Sequence, residues 1–187
     1  MIIDTPRLRL REFGKRDWAA VLDYQADPDY LLYYPWTRRT EADVRAFVGQ
    51  FLEWQVEEPR LRFQLAITLR DGGWPIGSCG IRQPHAGVRA AETGFELAPE
   101  HWGRGYATEA ARAMVALGFD ELGLQRVWGE CVPENAGAQQ VLVKLGMRCV
   151  ARWRKDQWYK GRWWDRLIYS VLDGEWRAGA ARDSRLA

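Results

Sequence analysis

The chain has 187 residues, of which 47% are hydrophobic and 28% are charged, as expected for one globular domain with a sizeable core. Its 27 lysines and arginines against 25 aspartates and glutamates leave a formal charge of +2, which is too balanced for a general nucleic-acid binder. Three widely spaced cysteines indicate neither a disulfide framework nor a zinc site. No apolar run approaches the roughly 20 residues of a membrane span, and no signal-peptide pattern is present. We therefore expect one cytoplasmic domain with no metal.

The N-terminal part predicts a strand followed by two helices. Leucine alternates with arginine over residues 7–12, which is typical of a strand with one apolar and one basic face. Asp17 is placed to cap a helix that begins at Trp18. Thr40 and Asp43 form the pattern of a capping box before a second helix. The segment between the two helices, 27–39, is irregular and aromatic.

The remaining elements predict an α+β domain. Residues 62–69 and 75–82 predict a hairpin with the turn Asp71-Gly72-Gly73. After them we expect a strand over 92–97, a helix from Ala107 to Gly118, a strand over 126–132, a helix from Asn135 to Leu145, and a hairpin over 148–158 and 162–172. The order favours a mixed, mostly antiparallel sheet of about seven strands with about four helices, and not a Rossmann fold. The expected domain covers 1–177, with a disordered tail over 178–187.

A glycine-rich loop stands between the strand at 92–97 and the helix that follows it. It reads Trp102-Gly103-Arg104-Gly105-Tyr106-Ala107-Thr108. Backbone amides at a helix N-terminus lack intrahelical partners and lie at the positive end of the helix dipole, so they bind anions. Glycines at 103 and 105 allow positive φ and close approach of phosphate oxygens, and Arg104 adds a charged donor. The loop lacks both the G-K-[ST] ending of a P-loop and the third glycine of a dinucleotide fingerprint.

The strand before this loop is expected to diverge from the next strand of the sheet. Gly94 weakens regular packing there, and divergence would expose backbone groups at Leu97 and Ala98. A ligand that carries amides could pair with them as an added strand. The pantetheine arm of coenzyme A carries such amides and ends in a pyrophosphate, which matches both halves of the predicted site.

Across almost its whole length the sequence resembles the GNAT superfamily, and in particular its Rim-type branch of ribosomal-protein alanine N-acetyltransferases. The matching blocks are Pro6-Arg7-Leu8-Arg9-Leu10-Arg11, Glu92-Thr93-Gly94-Phe95, the run W-G-R-G-Y-A-T-E-A at 102–110, Pro133-Glu134-Asn135, Lys144-Leu145-Gly146 and Gly161-Arg162-Trp163-Trp164-Asp165. The resemblance implies the GNAT fold, with its sheet splayed between the predicted fourth and fifth strands. It also implies acetyl-CoA as cosubstrate, with pyrophosphate on the amides from Gly103 to Thr108, pantetheine on Leu97 and Ala98, and a hydrogen bond from Asn135. An aromatic residue at Trp102 is similar to the Rim-type branch. For Asn135, a plain helix cap is an equally good interpretation.

The same resemblance raises a question about proton transfer. Many relatives carry a serine where this chain has Ala138, or a tyrosine where it has Leu142, and both are general-acid positions. A thiol with a pKa of about 8.5 leaves tolerably as its anion, so the loss slows acetyl transfer without forbidding it. The backbone amide of Leu97 is the candidate oxyanion donor. Glu92 is the candidate base, acting through water, and Glu96 on the same strand face is its rival.

The acceptor is less well specified by the sequence. By analogy with relatives, Tyr33, Tyr34, Trp36 and Trp163 are expected to border its cleft, although each could equally be a core residue. An α-amine with a pKa near 8 is more easily made neutral than a lysine amine near 10.4. We therefore expect a protein N-terminus as acceptor. A small amine such as an aminoglycoside or polyamine, or an acyl-CoA sensor with weak catalysis, are the alternatives. Neither nucleic acid nor membrane is expected as a partner, and a homodimer is compatible with the sequence.

Overall fold

The computed structural model describes the backbone of residues 1–183 and the side chains of residues 1–179. Eight strands form one sheet: β1 (Ile2–Asp4), β2 (Leu8–Glu12), β3 (Arg62–Leu69), β4 (Gly77–Arg82), β5 (Ala90–Leu97), β6 (Arg126–Cys131), β7 (Arg148–Tyr159) and β8 (Arg162–Leu172). The six helices are α1 (Trp18–Gln25), α2 (Pro28–Leu31), α3 (Glu41–Trp54), α4 (Tyr106–Asp120), α5 (Ala136–Lys144) and α6 (Asp173–Asp183). The strand order is β1-β2-β3-β4-β5-β6-β8-β7, and only β5 and β6 run parallel. The predicted α+β class and mostly antiparallel sheet are confirmed.

Three additional elements, β1, α2 and α6, account for the difference from the predicted seven strands and four helices. β1 has three residues at the sheet edge, and α2 is a single turn capped by Asp27. α6 enters the segment 178–187 that we expected to be disordered, and it continues to Asp183. Arg177 pairs with Asp173 on the same helix (2.8 Å) and with Asp120 on α4 (3.1 Å), which ties this helix to the domain. Ordered backbone therefore extends past 177, while 184–187 lie outside the described residues and the domain boundary stays a prediction.

The helices cover the two faces of the sheet and form two apolar clusters. Alternation along β3 shows the division, because Leu65 and Ile67 face the cluster that contains α4, whereas Ala66 faces the cluster formed by α1, α2 and α3. We call these the α4 face and the α1–α3 face. Within the described residues, none of the helices is long and apolar enough to cross a bilayer.

Local sequence signals explain where several elements begin. Thr40 and Asp43 form the predicted capping box, with the Asp43 N–H donating to Thr40 Oγ1 (3.2 Å) and the Thr40 N–H donating to Asp43 Oδ2 (2.9 Å). The prediction that Asp17 caps α1 is wrong. Its carboxylate instead accepts from Arg11 Nη1 (2.6 Å) and from the Gly14 N–H (2.7 Å), because a buried carboxylate gains more from a charged partner than from a helix amide.

The parallel pair β5–β6 is short, and this opens the sheet. Its register runs from Ala90 opposite Arg126 to Glu92 opposite Trp128 and then ends, although β5 continues to Leu97. The splay predicted between the fourth and fifth strands is therefore confirmed. It lies between β5 and β6 because the additional strand β1 shifts the numbering by one.

Candidate active site

The glycine loop forms a cradle of free amides at the start of α4. Gly103 has φ +73° and Gly105 has φ +78°, both in the left-handed region that favours glycine. Gly105 is the N-cap of α4 and supplies no side-chain cap, whereas α2, α3 and α5 are each capped by a side chain. Within the described part of the chain, the first-turn amides, those of Tyr106, Ala107 and Thr108, thus have no side-chain cap. They are arranged to bind an anion.

A brace from the N-terminal segment holds this cradle in place. Glu109, in the first turn of α4, accepts from Thr5 Oγ1 (2.7 Å), from the Arg7 N–H (2.8 Å) and from Arg7 Nε (2.6 Å). Arg7 Nη1 donates to the Arg104 carbonyl (2.8 Å), and the guanidinium lies 4.7 Å from the centroid of the Tyr106 ring. Two sequence blocks that are about a hundred residues apart therefore meet at the loop. Both blocks are recognisable in the sequence, but their contact is not.

Backbone groups of β5 face the gap between β5 and β6. The Arg89 carbonyl accepts from the Gln125 N–H on the β6 side, while the Ala98 N–H donates to Ile76 on the β4 side. Because backbone groups alternate along a strand, those of Phe95 and Leu97 point into the gap. The Leu97 carbonyl already accepts from Trp102 Nε1 (2.7 Å), which leaves its N–H directed at the gap.

Ala98 does not have the free backbone groups that we expected of it. Its N–H donates to Ile76 (2.8 Å), and its carbonyl accepts from the His101 N–H (2.9 Å) because Pro99 starts a short 3₁₀ turn there. Phe95, which was not among the predicted cofactor-binding residues, has backbone groups that point into the gap. Trp102 is about half exposed and its indole supports Leu97 from the loop side.

Glu96 lies on the α1–α3 face inside a cage of neutral donors. Its carboxylate accepts from Tyr24 (2.6 Å), Tyr30 (2.5 Å) and Ser78 (3.1 Å) through their hydroxyls, and from Gln25 Nε2 (3.3 Å to both oxygens). Burial and the negative charge of Glu96 raise the pKa values of Tyr24 and Tyr30, so both remain protonated donors. Among the described residues, no cation lies within ion-pair distance of this carboxylate.

Glu92, the other candidate base, has a different environment. It pairs with Arg82 (Nη2 to Oε1, 3.0 Å). Arg82 Nη1 donates to Gln64 (2.7 Å), and Gln64 donates to Ser78 (3.0 Å), which donates in turn to Glu96. One continuous hydrogen-bonded network therefore links the two carboxylates, with Glu92 neutralised and Glu96 not.

Two facing glycines make room for this network. Gly80 pairs with Gly94 across β4 and β5. A Cβ at Gly80 would stand 2.1 Å from Gln64 Oε1, and one at Gly94 would stand 2.7 Å from Arg82 Nη2. Gly94 is thus explained by the Arg82 side chain, and it lies within the regular β4–β5 register instead of weakening it.

The predicted acceptor aromatics separate into two groups. Tyr34 stacks on Trp36 (ring centroids 4.9 Å apart) and belongs to the α1–α3 cluster beside the Glu96 cage. Trp36 Nε1 is buried and has no hydrogen-bond partner among the residues that the structure describes. Tyr33 lies nearby, donates through its hydroxyl to the Glu134 carbonyl (3.0 Å) and contacts the Trp164 ring edge-on.

Trp163 and the next residue, Trp164, have different environments. The Trp163 side chain is 50% exposed and meets Trp158, which is 60% exposed, whereas Trp164 is buried and stacks on Tyr159 (4.8 Å) beside Tyr33. Side chains of adjacent residues in a strand point to opposite faces, so Trp164 and not Trp163 packs beside Tyr33, and a contact of Trp163 with the acceptor stays a prediction.

Helix α5 contains both positions, 138 and 142, at which many relatives have a general acid. The Asn135 side chain accepts from the Ala138 N–H (2.9 Å), so the helix-cap interpretation is confirmed, while its contact with a cofactor stays a prediction. Leu142 is 1% exposed and packs against β6 at Gly129. Where many relatives have a general-acid tyrosine, this chain therefore has a buried leucine of the core. No group of three or more metal-binding side chains occurs among the described residues.

Comparison with known proteins identifies the family. The family model described as Acetyltransferase (GNAT) domain matches residues 7–148. The chain is a member of the GNAT acetyltransferase family. A relative named Uncharacterized N-acetyltransferase YnaD, from Bacillus subtilis (strain 168), is 35% identical over 94% of this chain and 99% of its own. GNAT enzymes use acetyl-CoA, and this chain is accordingly an acetyl-CoA-dependent N-acetyltransferase.

Solved GNAT structures support the same assignment. The acetyltransferase (GNAT family) from Bacillus anthracis is 31% identical and covers 93% of this chain and 99% of its own with a TM-score of 0.81. The spermidine N-acetyltransferase from Vibrio cholerae, solved in complex with CoA and spermine, is only 16% identical and shares the fold (TM-score 0.78, 92% of this chain and 99% of its own).

The residues present fit acetyl-CoA. The uncapped first turn of α4 and the open space around Gly103 suit a pyrophosphate, and the backbone of Phe95 and Leu97 in the gap suits an arm that carries amides. These assignments rest on the geometry of the cradle and the gap, and they stay predictions for the individual residues.

Proposed function

We propose that this GNAT enzyme acetylates the α-amine of a protein N-terminus, and that Glu96 is the carboxylate that receives the acceptor amine. The observation that carries the proposal is the charge of Glu96. Glu96 is a partly buried carboxylate whose donors among the described residues are all neutral, so it lacks a counter-ion there, and an acceptor ammonium would supply one. Glu92 has its counter-ion in Arg82.

The position of Glu96 on β5 also favours it over Glu92 as the residue that receives the amine. The β5–β6 register ends at Glu92, and Glu96 lies four residues further, where the two strands have separated. Its side chain points to the α1–α3 face, next to Tyr34 and Trp36. An amine held there would approach the gap from the side opposite α4.

The chain's own groups can then be assigned to the steps of the reaction. Bound acetyl-CoA supplies an acetyl thioester whose thiolate can leave without a strong acid. Glu96, directly or through one water, takes the proton that the ammonium must lose before it attacks. The Leu97 N–H donates to the thioester oxygen as that atom gains negative charge. Because an α-amine is about one-tenth neutral at pH 7, this modest base is sufficient for it, whereas lysine would need more help.

Paired glutamine variants test the assignment. The protein is incubated with acetyl-CoA and a panel of N-terminal peptides, lysine peptides, polyamines and aminoglycosides, and free thiol release is followed. We expect turnover on the N-terminal peptides, with Glu96→Gln lowering kcat/KM about 100-fold at unchanged acetyl-CoA affinity, and Glu92→Gln lowering it less than about tenfold. Acetyl-CoA binding without turnover on any amine would favour the sensor alternative. A larger loss in Glu92→Gln would return the role of base to Glu92.

A further inference from the structure

A positively charged cavity adjoins the Glu96 cage. Its volume is about 330 Å³, and it lies where α2 meets the β7–β8 turn. The lining residues are Ala26, Pro28, Leu31, Leu32, Thr37, Arg38, Arg39 and Lys160. Three of these eight carry positive charge and none is acidic. Such a lining attracts an anion and repels a cation.

Two of the three cations are held in position by neutral groups. Lys160 Nζ donates to the carbonyls of Leu31 (2.6 Å) and Leu32 (3.3 Å), which fixes the β7–β8 turn against α2. Arg39 donates through Nε to Gln25 Oε1 (2.9 Å), and its guanidinium lies 4.7 Å from the Trp36 ring centroid. These contacts orient the charges without cancelling them. The terminal guanidinium nitrogens of Arg39 remain as donors.

Two carboxylates that lie close in sequence to the lining residues, Asp27 and Asp43, are committed to helix ends. Asp27 accepts from the Asp29 N–H (2.8 Å) as the cap of α2. Hydrogen bonds from Thr40, and then the charges of Arg39 and Arg38, lower the pKa of Asp43, so this carboxylate reduces the positive field of the two arginines. It forms no ion pair with either of them, because it is turned to the N-terminus of α3.

Gln25 connects the cavity to the proposed amine site. It accepts from Arg39 through Oε1 and donates to Glu96 through Nε2. A negative carboxylate and a fixed guanidinium therefore flank one buried amide side chain. An acceptor that reaches from Glu96 to Arg39 would meet a negative site for its amine and a positive site for a second group.

We propose that this cavity is a subsite for an acidic side chain of the acceptor, so that the enzyme favours N-termini with aspartate or glutamate soon after the first residue. The inference rests on the proposed function, because it takes Glu96 as the amine site. It disfavours polyamines and aminoglycosides, whose further ammonium groups would face Arg38, Arg39 and Lys160.

Three peptides that differ only at their second and third residues test this subsite. They begin Ala-Asp-Glu, Ala-Asn-Gln and Ala-Lys-Lys and share one neutral remainder. The wild type is expected to favour the acidic over the basic peptide at least about tenfold in kcat/KM, and Arg38→Glu is expected to bring this ratio to one or below. Arg126→Glu, with the same change of net charge at the paired end of β6, serves as the control and should keep the wild-type ratio.

Binding of the same peptides to CoA-loaded protein is measured by calorimetry, so an inactive protein still reports on the subsite. Failure of every peptide to turn over, together with a preserved binding preference, would refute the proposed function and leave the subsite standing. A ratio within about twofold of one in the wild type, or an equal loss in Arg126→Glu, would overturn the subsite. Thermal unfolding of each variant verifies that it is folded.

Discussion

The brace between Arg7 and Glu109 offers a prediction that can be worked out in magnitude. Glu109→Gln removes the charge that receives Arg7 Nε at 2.6 Å, while Arg7 can still reach solvent. A hydrogen bond to a charged group contributes about 1.5–3 kcal/mol, and exposed ion pairs contribute about 0.2–1 kcal/mol. Because the Glu109 side chain is 13% exposed and that of Arg7 is 49% exposed, we expect a loss from the top of the lower range to the bottom part of the higher one, about 1–2 kcal/mol. In a chain of this size the Tm should fall by roughly 3–6 °C.

The brace also sets the position of the cradle, so cofactor affinity should fall with stability. With the Arg104 carbonyl and the Tyr106 ring no longer held, the Kd for acetyl-CoA measured by calorimetry should rise about five- to tenfold. The acceptor KM should not change.

The effect of the brace should depend on pH. Burial alone would raise the pKa of Glu109, but hydrogen bonds from Thr5 and Arg7 outweigh it and lower the pKa. A lowered carboxyl pKa stabilises the fold above the unfolded value, and this contribution is lost as the pH falls through the folded value. The Tm difference between wild type and Glu109→Gln should therefore be largest near neutral pH and shrink below about pH 4.5.

Glu41→Gln is the matched control, because Glu41 pairs with Arg45 at 2.7 Å on the exposed surface of α3, where both side chains are more than half exposed. We expect it to cost less than about 0.5 kcal/mol and to leave acetyl-CoA binding unaltered. If Glu109→Gln lowers the Tm but not the acetyl-CoA affinity, the brace is structural only. If it behaves like Glu41→Gln in both assays, the reasoning is wrong.

Three further substitutions, two of them with a matched control, test roles that follow from the structure. Gly105→Ala should weaken acetyl-CoA binding at a cost of about 1–2 kcal/mol, because residue 105 has φ +78° and its Cβ would stand 3.4 Å from Arg7 Nη2. Gly73→Ala, with φ +113° in the β3–β4 turn, should leave acetyl-CoA titrations unchanged. Leu142→Tyr should overpack the core and lower the free energy of unfolding, measured with denaturant, by about 1–3 kcal/mol. A higher kcat in this variant would contradict the view that residue 142 serves packing alone. Trp164→Ala should cost about 3–5 kcal/mol and raise the acceptor KM. Equal effects of Trp163→Ala on unfolding and kinetics would contradict the assignment of Trp164 to the buried face of β8 and of Trp163 to the exposed face.

Features that depend on neighbouring residues could be predicted from the sequence. The capping box at Thr40 and the left-handed glycines at 103 and 105 follow from local backbone chemistry, and the structure has them as expected. The small-residue face of α4 followed from helical periodicity, and Ala110 and Ala111 are fully buried.

Features that depend on residues distant in the chain could not be predicted from the sequence. Tyr30 lies 66 residues from Glu96 in the chain, so no local pattern shows that their side chains meet. Which carboxylate has a counter-ion depends in the same way on Arg82 of a neighbouring strand. The burial of Trp164 and not of Trp163 was unpredictable for another reason. Two adjacent tryptophans next to a turn satisfy either strand phase, and only contacts with Tyr33 and Tyr159 select Trp164.

The facing glycines at 80 and 94 restrict how this active site can vary among homologues. Any side chain at either position would displace Gln64 or Arg82, whose removal would leave Glu92 as a second uncompensated carboxylate. Homologues with alanine or a larger residue at 80 or 94 should therefore also have changed 64, 82 or 92, so these five positions are expected to covary. A designer who wishes to alter the acceptor should change them as a group, since a single substitution would leave another member of the network without its partner.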